Sequence, residues 1–571
     1  MRRELTELRS KMREKNIDVY IIPTTDYHGS EYVNDYFKCR EYVSGFTGSA
    51  GTLVVSGDFA GLWTDGRYFL QAEEQLRGTG ICLMKMGEEG VPDIEGYMNE
   101  KFKGMTVGFD GRVTDMRTGQ KLEKNFSIVY DIDLAGEIWK DRPAVVPSEI
   151  YPVDIKFSGE ESCSKFERLR SCMGDADYIL ISRLEETAWL YNLRGKDIAH
   201  TPVFYGFSLV SKSDAVLYVM DEKYCKNGKT DVKPYEKVFS DIGKLRNCTV
   251  MIDENTASYS LSRSFDSSVR VIAGKSPVEK MKAVKNSAEI AATKNAHIRD
   301  GAAMVNFICR LKENIGKKHI TEISAADYLE ECRRNRGAYD LSFTTIAGYE
   351  EHGAIVHYAA TAESNSSMKA EGFLLVDSGG QYEDGTTDIT RTIALGPVDD
   401  ERKKHYTAVL KGNIALASAE FSRKISGAEL DMRARKPLND IGLDFKHGTG
   451  HGVGHLLSVH EGPNVISPRG RDSSILPGMI TTDEPGVYLA GKYGIRIENE
   501  LLCKPKGESD SKCCFEVLTY CPFEREAIDK ELLTAEEINY INAYHEKVYE
   551  KLRSLLDEKT AEWLRNECRP L

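Results

Sequence analysis

Long apolar runs are missing from this sequence, and so are long basic runs. No stretch approaches the roughly eighteen consecutive apolar residues that a membrane-spanning helix requires. The formal net charge of −13 opposes binding to nucleic acid, which is recognised by clustered basic side chains. The opening segment, MRRELTELRSKMREKNID, has the pattern of a charged amphipathic helix and not that of a signal peptide. These absences predict a protein with no membrane and no nucleic acid among its partners.

Paired cysteine motifs are missing as well. The thirteen cysteines are odd in number and scattered, and no CxxC pair occurs among them. A disulfide framework or a cysteine-based metal site would need regular spacing, so neither is expected. This usage of cysteine is typical of a reducing compartment, and the cytoplasm is the predicted location.

The chain of 571 residues is too long for a single hydrophobic core, and it contains an internal repeat. The segment LRSKM at residues 8–12 recurs as LRSCM at residues 169–173, and an acidic residue and an apolar strand follow each copy. Downstream, each copy carries a second strand pattern, GTLVVSGDFAGLWTD in the first and FSLVSKSDAVLYVMD in the second. Alternating helix and strand patterns of this size predict two α/β domains with mixed sheets, over residues 1–155 and 156–283.

The remaining part, residues 284–571, has a different pattern. After Pro277, helical periodicity continues to about Ile315, and a second helix is expected to begin after a cap at Thr321. Strand patterns then dominate, interrupted by a helix around Glu401–Phe421. Periodicity alone predicts the α+β class for this third domain.

Five side chains of metal-ligand type stand out in the third domain: Asp377, Asp388, His451, Glu484 and Glu498. Four carboxylates and one imidazole form an oxygen-rich set, which suits hard or borderline divalent ions such as Mn²⁺. Four carboxylates are too many for one catalytic ion, whereas two ions about 3.5–4 Å apart can share bridging carboxylates. The set therefore indicates metal-assisted hydrolysis.

The local settings of these residues distinguish them from the many acidic residues on solvated faces. Asp377 directly follows the apolar run FLLV, where an unpaired carboxylate would be costly. Glu498 and Arg496 alternate with isoleucines, so both are expected on one face of a strand. Glu484 precedes a Pro-Gly turn signal that ends a strand.

Four of the twelve histidines lie close together: His447, His451, His455 and His460. Three of them repeat every four residues, a spacing that would stack them on one helical face. The glycines between them each weaken a helix by about 1 kcal/mol, so a helix is not expected. Alternating glycines instead favour an extended or looped backbone that passes close to a metal or a substrate.

The motifs HGTGHGVG, VHEGP, TTDEPG and GIRIENE, together with VDSGGQYEDGTTDITRT, resemble the proline-specific pita-bread metallopeptidases. Among these the chain is most similar to the long Xaa-Pro aminopeptidases, because YIIP, VSGFTGSAGT and TDGRYFLQA near its start also match the three-domain members. The resemblance implies two creatinase-N-like α/β domains followed by a pita-bread catalytic domain with a C-terminal extension. That catalytic fold is a curved antiparallel sheet with helices outside and metals on the concave side.

The resemblance also implies ligand roles. Asp388 and Glu498 would bridge two Mn²⁺ ions, with Zn²⁺ or Co²⁺ as alternatives. Asp377 would bind one ion, and His451 and Glu484 the other. A hydroxide between the ions would attack the N-terminal Xaa-Pro bond of peptides with proline in the second position. Glu484 would also handle the proton of the attacking water.

The histidines other than the metal ligand have implied roles of their own. His447 and His460 match substrate-binding and catalytic histidines of the family, and His357 matches a further active-site histidine. His357 and His460 would bind substrate and then hydrogen-bond the intermediate or protonate the leaving proline nitrogen. His455 has no such match and is expected to be a neighbouring polar residue that binds no metal.

Three further residues complete the expected site. Arg496 would orient the carboxylates for catalysis. Tyr488 matches a tyrosine behind the metal ligands, with a plain core tyrosine as the alternative. Arg67, in TDGRYFLQA, would bind substrate from the first domain, with a surface or interdomain salt bridge as the alternative.

Several rival functions share the pita-bread fold. A prolidase, which cleaves Xaa-Pro dipeptides, uses the same metals but typically has one N-terminal domain, and a methionine aminopeptidase has none. Creatinase-type hydrolases and non-enzymatic binding proteins lose metal ligands, whereas all five are present here. The family's long members are usually homodimers, and the segment from about Cys521, with helices near residues 535–555 and 561–568, is expected to contribute to that interface.

Overall fold

A computed structural model describes residues 2–221, 223, 231–507 and 511–571. The chain forms two compact units. The first comprises Met1–Ile155 and Glu160–Glu279, and the second comprises Lys156–Gly159 and Lys280–Leu571. Within the described residues, every helix is too short or too polar to cross a membrane.

The first unit contains two six-stranded sheets. The strands of the first sheet are β1 (Val19–Pro23), β2 (Thr52–Ser56), β3 (Ala60–Thr64), β4 (Cys82–Lys85), β5 (Thr106–Phe109) and β6 (Ser127–Val129). The later strands are β7 (Tyr151–Pro152), β8 (Tyr178–Ile181), β9 (Leu193–Arg194), β10 (Gly206–Ser211), β11 (Ala215–Val219), β12 (Asp231–Pro234), β13 (Thr249–Ile252) and β14 (Arg270–Ala273). β7 and β9 pair separately from the second sheet.

Helices accompany both sheets up to the boundary with the second unit. They are α1 (Arg3–Glu14), α2 (Cys39–Ser44), α3 (Phe69–Gln75), α4 (Ile94–Lys101), α5 (Met116–Asn125), α6 (Leu134–Ile138), α7 (Ile155–Ser158), α8 (Ser162–Ser171), α9 (Leu184–Tyr191), α10 (Lys237–Ile242), α11 (Tyr259–Arg263) and α12 (Pro277–Ala283). The helix predicted at the start of the chain is α1, which buries Leu5, Leu8 and Met12 in the core of the first sheet. Their spacing places them on one helical face.

The two sheets share one topology. Their strand orders are β4-β3-β2-β1-β5-β6 and β12-β11-β10-β8-β13-β14. In the first, β1 pairs antiparallel with β2 and parallel with β5, and in the second β8 pairs antiparallel with β10 and parallel with β13. The α/β class with mixed sheets is therefore confirmed.

The second unit is mostly antiparallel. Its strands are β15 (Asp340–Leu341), β16 (Ile346–Tyr349), β17 (Phe373–Ser378), β18 (Gly380–Tyr382), β19 (Gly385–Thr386), β20 (Ile389–Ala394), β21 (Glu420–Ser422), β22 (Gly450–Gly452), β23 (Glu461–Ile466), β24 (Ile480–Asp483), β25 (Gly486–Leu489), β26 (Tyr493–Arg496), β27 (Asn499–Pro505) and β28 (Lys512–Val517). Its helices are α13 (Ser287–Asn314), α14 (Glu322–Arg334), α15 (Asp400–Ala417), α16 (Gly427–Asn439), α17 (Ala535–Leu552) and α18 (Glu558–Glu567).

Three groups of strands position the candidate site. A six-stranded antiparallel sheet has the order β21-β28-β27-β24-β22-β23, a three-stranded sheet has the order β16-β17-β20, and β25 pairs with β26. The helices bury their apolar faces on these sheets, as α13 and α14 do with Phe307 and Leu329. This mixture of helices and antiparallel strands confirms the α+β class.

Local predictions agree with the structure except at two places. Thr321 caps α14 as expected, because its side chain accepts from the Ser324 N–H. The helix predicted around Glu401–Phe421 is α15, which ends at Ala417 because Phe421 belongs to β21. The single strand predicted for GIRIENE is wrong. The backbone leaves the sheet of β26 after Arg496 and enters β27 at Asn499, so Glu498 lies between two sheets.

Candidate metal centre

The five predicted metal ligands all lie in or beside strands of the second unit. Asp377 is in β17 opposite Thr390 of β20, and Asp388 comes just before β20, so the antiparallel pairing brings the two aspartates together. His451 is in β22, Glu484 follows β24 and Glu498 lies between β26 and β27. Strand pairing thus converts five distant sequence positions into one site.

The ligand atoms form overlapping groups. One ligand atom each from Asp377, Asp388 and Glu498 lies within 4.8 Å of the others, and the same is true of His451, Glu484 and Glu498. A third such group contains Asp388, His451 and His460. The first two groups share Glu498. In addition, Asp388 Oδ2 lies 3.6 Å from His451 Nε2. This arrangement has room for two ions that share carboxylates.

Burial makes three of the carboxylates in this cluster hard to ionise. Burial raises the pKa of Asp388 and of Glu498 well above the usual range, and the neighbouring carboxylates raise both further. Burial raises the pKa of Glu484 to about 7, with a contribution from Asp377 that Arg496 opposes. The Asp377 Oδ1 atom is buried without a hydrogen-bond partner. Divalent cations among these oxygens would offset the cost of burying their charge, so the residues fit such a centre.

The His451 ring is oriented as a metal ligand would be. Its Nδ1 lies 2.9 Å from the Gly452 carbonyl oxygen, which assigns the proton to Nδ1. Nε2 then presents its lone pair 3.5 Å from Glu484 Oε1 and 3.6 Å from Asp388 Oδ2. The neighbouring glycine is required by close approach, since a Cβ at Gly450 would lie 2.1 Å from the Thr482 carbonyl oxygen.

Arg496 is the buried cation that faces the carboxylates. Its Nη2 donates to Asp377 Oδ2 at 2.6 Å, and its Nη1 donates to the Tyr488 hydroxyl at 2.7 Å. Its Nε lies 3.1 Å from Thr390 Oγ1, and that hydroxyl donates to Glu498 Oε2 at 2.7 Å. Arg496 therefore orients Asp377 directly and Glu498 through Thr390.

The remaining predicted histidines have different neighbours around the metal centre. The His460 ring is 4.3 Å from the His451 ring between centroids, in an edge-to-face arrangement. His447 Nε2 lies 2.8 Å from the Tyr488 hydroxyl. His357 directly follows Val356, whose carbonyl accepts from Arg496 Nη2 at 3.3 Å.

The other two predicted residues, His455 and Arg67, contact different side chains. His455 Nδ1 is 3.1 Å from the Thr293 hydroxyl, and His455 belongs to none of the ligand groups found among the described residues. Arg67 lies in the first unit, where it donates to both oxygens of Asp65 at 2.8 Å.

Three residues to which the sequence motifs assigned no role support the ligands. The Asp388 N–H donates to Glu500 Oε1 at 2.7 Å. Thr482 Oγ1 accepts from the His451 N–H at 3.0 Å. Arg391 Nη1 donates to the Glu498 carbonyl at 2.6 Å. All three are buried polar side chains in strands that are otherwise largely apolar. A polar residue within an apolar strand pattern is the sequence signal that indicates such a hydrogen-bonded side chain.

Family models match the chain in consecutive segments. Residues 4–143 and 141–289 each match the Creatinase/Prolidase N-terminal domain, and residues 291–505 match Metallopeptidase family M24. Residues 512–571 match the C-terminal region of peptidase M24. The two halves of the first unit thus match one domain description twice.

Relatives of known name resemble nearly the whole chain. It is 40% identical to Aminopeptidase P2 of Arabidopsis thaliana, over 97% of this chain and 86% of that protein. It is 39% identical to a probable Xaa-Pro aminopeptidase P of Talaromyces marneffei, over 99% of this chain and 92% of that one.

Solved structures show the same similarity. X-prolyl aminopeptidase from Caenorhabditis elegans, described as a cytosolic enzyme with a di-nuclear active site, superposes with a TM-score of 0.95 at 32% identity, covering 100% of this chain and 99% of that one. Xaa-Pro dipeptidase from Bacillus anthracis superposes with a TM-score of 0.52 at 26% identity, covering 64% of this chain and 99% of its own.

Proposed function

This chain belongs to metallopeptidase family M24 and to its Xaa-Pro aminopeptidases, and from that premise we propose that its clustered ligands hold two divalent metal ions, preferably Mn²⁺. Zn²⁺ and Co²⁺ are the alternatives. One observation carries the proposal: two groups of three ligand atoms share Glu498. The di-nuclear site described for the Caenorhabditis elegans relative agrees with it.

Each ligand has a proposed place. Asp388 and Glu498 would serve both ions, Asp377 one of them, and His451 and Glu484 the other. The two groups of ligand atoms support the shared place of Glu498, and the third group, in which Asp388 meets His451, supports that of Asp388. Bound metals would supply a water of lowered pKa and would polarise the scissile carbonyl.

The chain's own residues then handle protons and substrate. Glu484, which lies in the ligand group with His451 and Glu498, accepts the proton of the attacking water. His357 and His460 bind the substrate, hydrogen-bond the oxyanion and protonate the proline nitrogen. His447, held by Tyr488, contacts the substrate beyond the proline. Arg496 keeps Asp377 in a fixed orientation.

The proposed substrates are peptides with proline in the second position. A bond to proline is a tertiary amide without an N–H, which peptidases that need that donor cannot use. The rival function, a prolidase, is less well supported, because relatives that match 97% and 99% of this chain are named Aminopeptidase P2 and probable Xaa-Pro aminopeptidase P. We also propose the three-domain division at residues 155 and 283, a cytoplasmic homodimer, and a substrate contact from Arg67.

Substrate length is the property that tests this function. We expect release of the first residue from a tripeptide such as Arg-Pro-Pro, with a kcat/KM well above that for the dipeptide Arg-Pro. The dipeptide would leave outer contacts empty and would bring its carboxylate near Glu484 and Glu498, which repel it. An N-terminally acetylated tripeptide serves as the control and should not be cleaved. Faster turnover of the dipeptide would identify a prolidase.

A further inference from the structure

Glu322 is a fully buried carboxylate that no motif of the sequence singles out. It is the first residue of α14 and has 0% relative exposure. Its Oε1 accepts from the Tyr349 N–H at 2.8 Å and lies 2.8 Å from His352 Nδ1. Its Oε2 accepts from the Tyr358 hydroxyl at 2.9 Å and from the Ser366 N–H at 2.8 Å. Both oxygens therefore have two partners each, which is the full capacity of a carboxylate.

All four partners lie in one segment, residues 349–366, which runs from the last residue of β16 toward β17. Apart from the 3-10 helix Glu350–Ala354, most of this segment is irregular, so its order depends on contacts with its surroundings. The segment is tied to Glu322 at both ends and in the middle. The Tyr358 ring also stacks on the His352 ring, with centroids 4.4 Å apart.

The segment carries His357. On one side of it, the Val356 carbonyl accepts from Arg496 Nη2, which also holds the metal-ligand candidate Asp377. On the other side, Tyr358 donates to Glu322. The residue before His357 is thus fixed to the metal centre, and the residue after it is fixed to Glu322.

We propose that Glu322 is the positioning residue for His357, and that it acts by holding residues 349–366 against α14. The inference rests on the proposed catalytic role of His357. Glu322 has no metal ligand among its four partners, so its removal should displace His357 and leave the metals bound. A displacement of about 1 Å can lower a rate by roughly a hundredfold.

A double-mutant cycle separates positioning from general structural support. In Glu322→Gln an amide N–H₂ replaces one oxygen and faces donors, so the segment loses an anchor. We expect kcat to fall about tenfold or more while metal content changes little. In a His357→Ala background the same change should lower kcat by less than about twofold, because its effect passes through His357. An equal loss in both backgrounds would overturn the proposal.

Two further variants keep the test decisive if Glu322→Gln folds poorly. Tyr358→Phe removes one hydroxyl and should lower kcat in the same direction by a smaller factor, again only when His357 is present. Glu289→Gln is the matched control, since Glu289 is a buried carboxylate in the first turn of α13 that accepts from the Asn286 N–H at 2.9 Å. It should lower Tm without changing kcat. A comparable loss of kcat in this control would show that the effect is not specific to Glu322.

The role of His357 and the role of Glu322 can fail separately. If His357→Ala retains full kcat, the proposed role of His357 is refuted and the positioning role with it. If His357→Ala is slow but Glu322→Gln and Tyr358→Phe keep the wild-type kcat, only the positioning role is refuted.

Discussion

Individual side chains in the metal centre carry charge where the surrounding protein disfavours it. Asp388 and Glu498 are 3% and 1% exposed, and both approach other carboxylates. A buried ionised carboxylate costs several kcal/mol unless an opposite charge compensates it. Arg496 compensates one charge, which leaves the others for bound metal.

Loss of a shared carboxylate should remove metal. Asp388→Ala or Glu498→Ala is expected to lose at least one ion and nearly all activity, because each residue serves both proposed metal positions. Metal content by mass spectrometry and far-UV circular dichroism check this together. Asp384→Ala, a buried aspartate paired with Arg299, is the matched control and should retain its metals. An active Asp388→Ala protein with full metal content would contradict the assignment.

The histidines should separate into ligands and others. His451→Ala should lose metal, whereas His357→Ala and His460→Ala should keep two ions and lose kcat. His455→Ala should be mild, because its ring nitrogen faces Thr293. His460 lies in a ligand group with Asp388 and His451, so metal loss in His460→Ala would make it a ligand. Metal loss in His455→Ala but not in His451→Ala would refute the present assignment.

The pKa of Glu484 predicts how pH affects the metal-free protein. The folded pKa of about 7 exceeds the unfolded value of about 4.3, so the folded state binds the proton more tightly. Its contribution to stability is complete below the unfolded pKa and is lost as pH rises through 7, by about 1.4 kcal/mol per pKa unit.

Thermal melts between pH 5 and 8 test this prediction in the presence of a chelator. Glu484→Gln should gain stability relative to the wild type as pH rises, because glutamine has no proton to lose. Titrating groups that do not interact with Glu484, such as His28 and His545, affect both proteins equally and cancel in the difference. Parallel curves for the two proteins would show that Glu484 does not titrate in this range.

At the level of elements, the C-terminal region is joined to β20, the strand that begins directly after Asp388. Arg391 of β20 donates to the Glu498 carbonyl, to the Cys521 carbonyl at 2.8 Å and to the Tyr544 hydroxyl at 3.0 Å. α17 also buries Tyr544 and Val548 in the core of its own unit. These side chains are therefore occupied within the chain and cannot form the predicted dimer interface.

Arg391→Lys should weaken metal binding although the residue touches no proposed metal-binding atom. Lysine cannot reproduce the planar set of hydrogen bonds, so the backbone at Glu498 loses its support. We expect the Kd for the metal to rise about tenfold, which competition with a chelator measures. Arg402 provides the control, because it is partly exposed and forms ion pairs with Glu350 and Asp399. Arg402→Lys should leave the Kd for the metal unchanged. An unchanged Kd in Arg391→Lys would show that the link is structural only.

The whole molecule combines a duplicated first unit with a catalytic second unit. Light scattering tests the proposed homodimer, which should have twice the chain mass of 64.0 kDa at micromolar concentration. A species of 64.0 kDa would refute it. Exposed residues of α17 and α18, such as Glu550 and Glu562, remain candidates for that interface, whereas their buried residues do not.

Much of this protein could be predicted from the sequence because the relevant signals are local. Each signal depends on a few adjacent residues, as do the apolar run before Asp377, the glycines around His451 and the Pro-Gly turn after Glu484. The segments LRSKM and LRSCM and the helix cap at Thr321 can each be read from a few adjacent residues as well. Strand ends, caps and ligand types follow from short-range preferences, so the α/β and α+β classes could be predicted.

Only the tertiary structure decided which groups share a contact. It showed that Glu498 belongs to two ligand groups, that Glu322 holds the segment of His357, and that Arg391 reaches Tyr544, 153 residues away in the chain. It also placed Arg496 at the end of β26 and Glu498 in the link between that sheet and the sheet of β27. Such contacts depend on how strands from distant segments pair and on which buried polar groups find partners, and neither property is encoded in the spacing of any one motif.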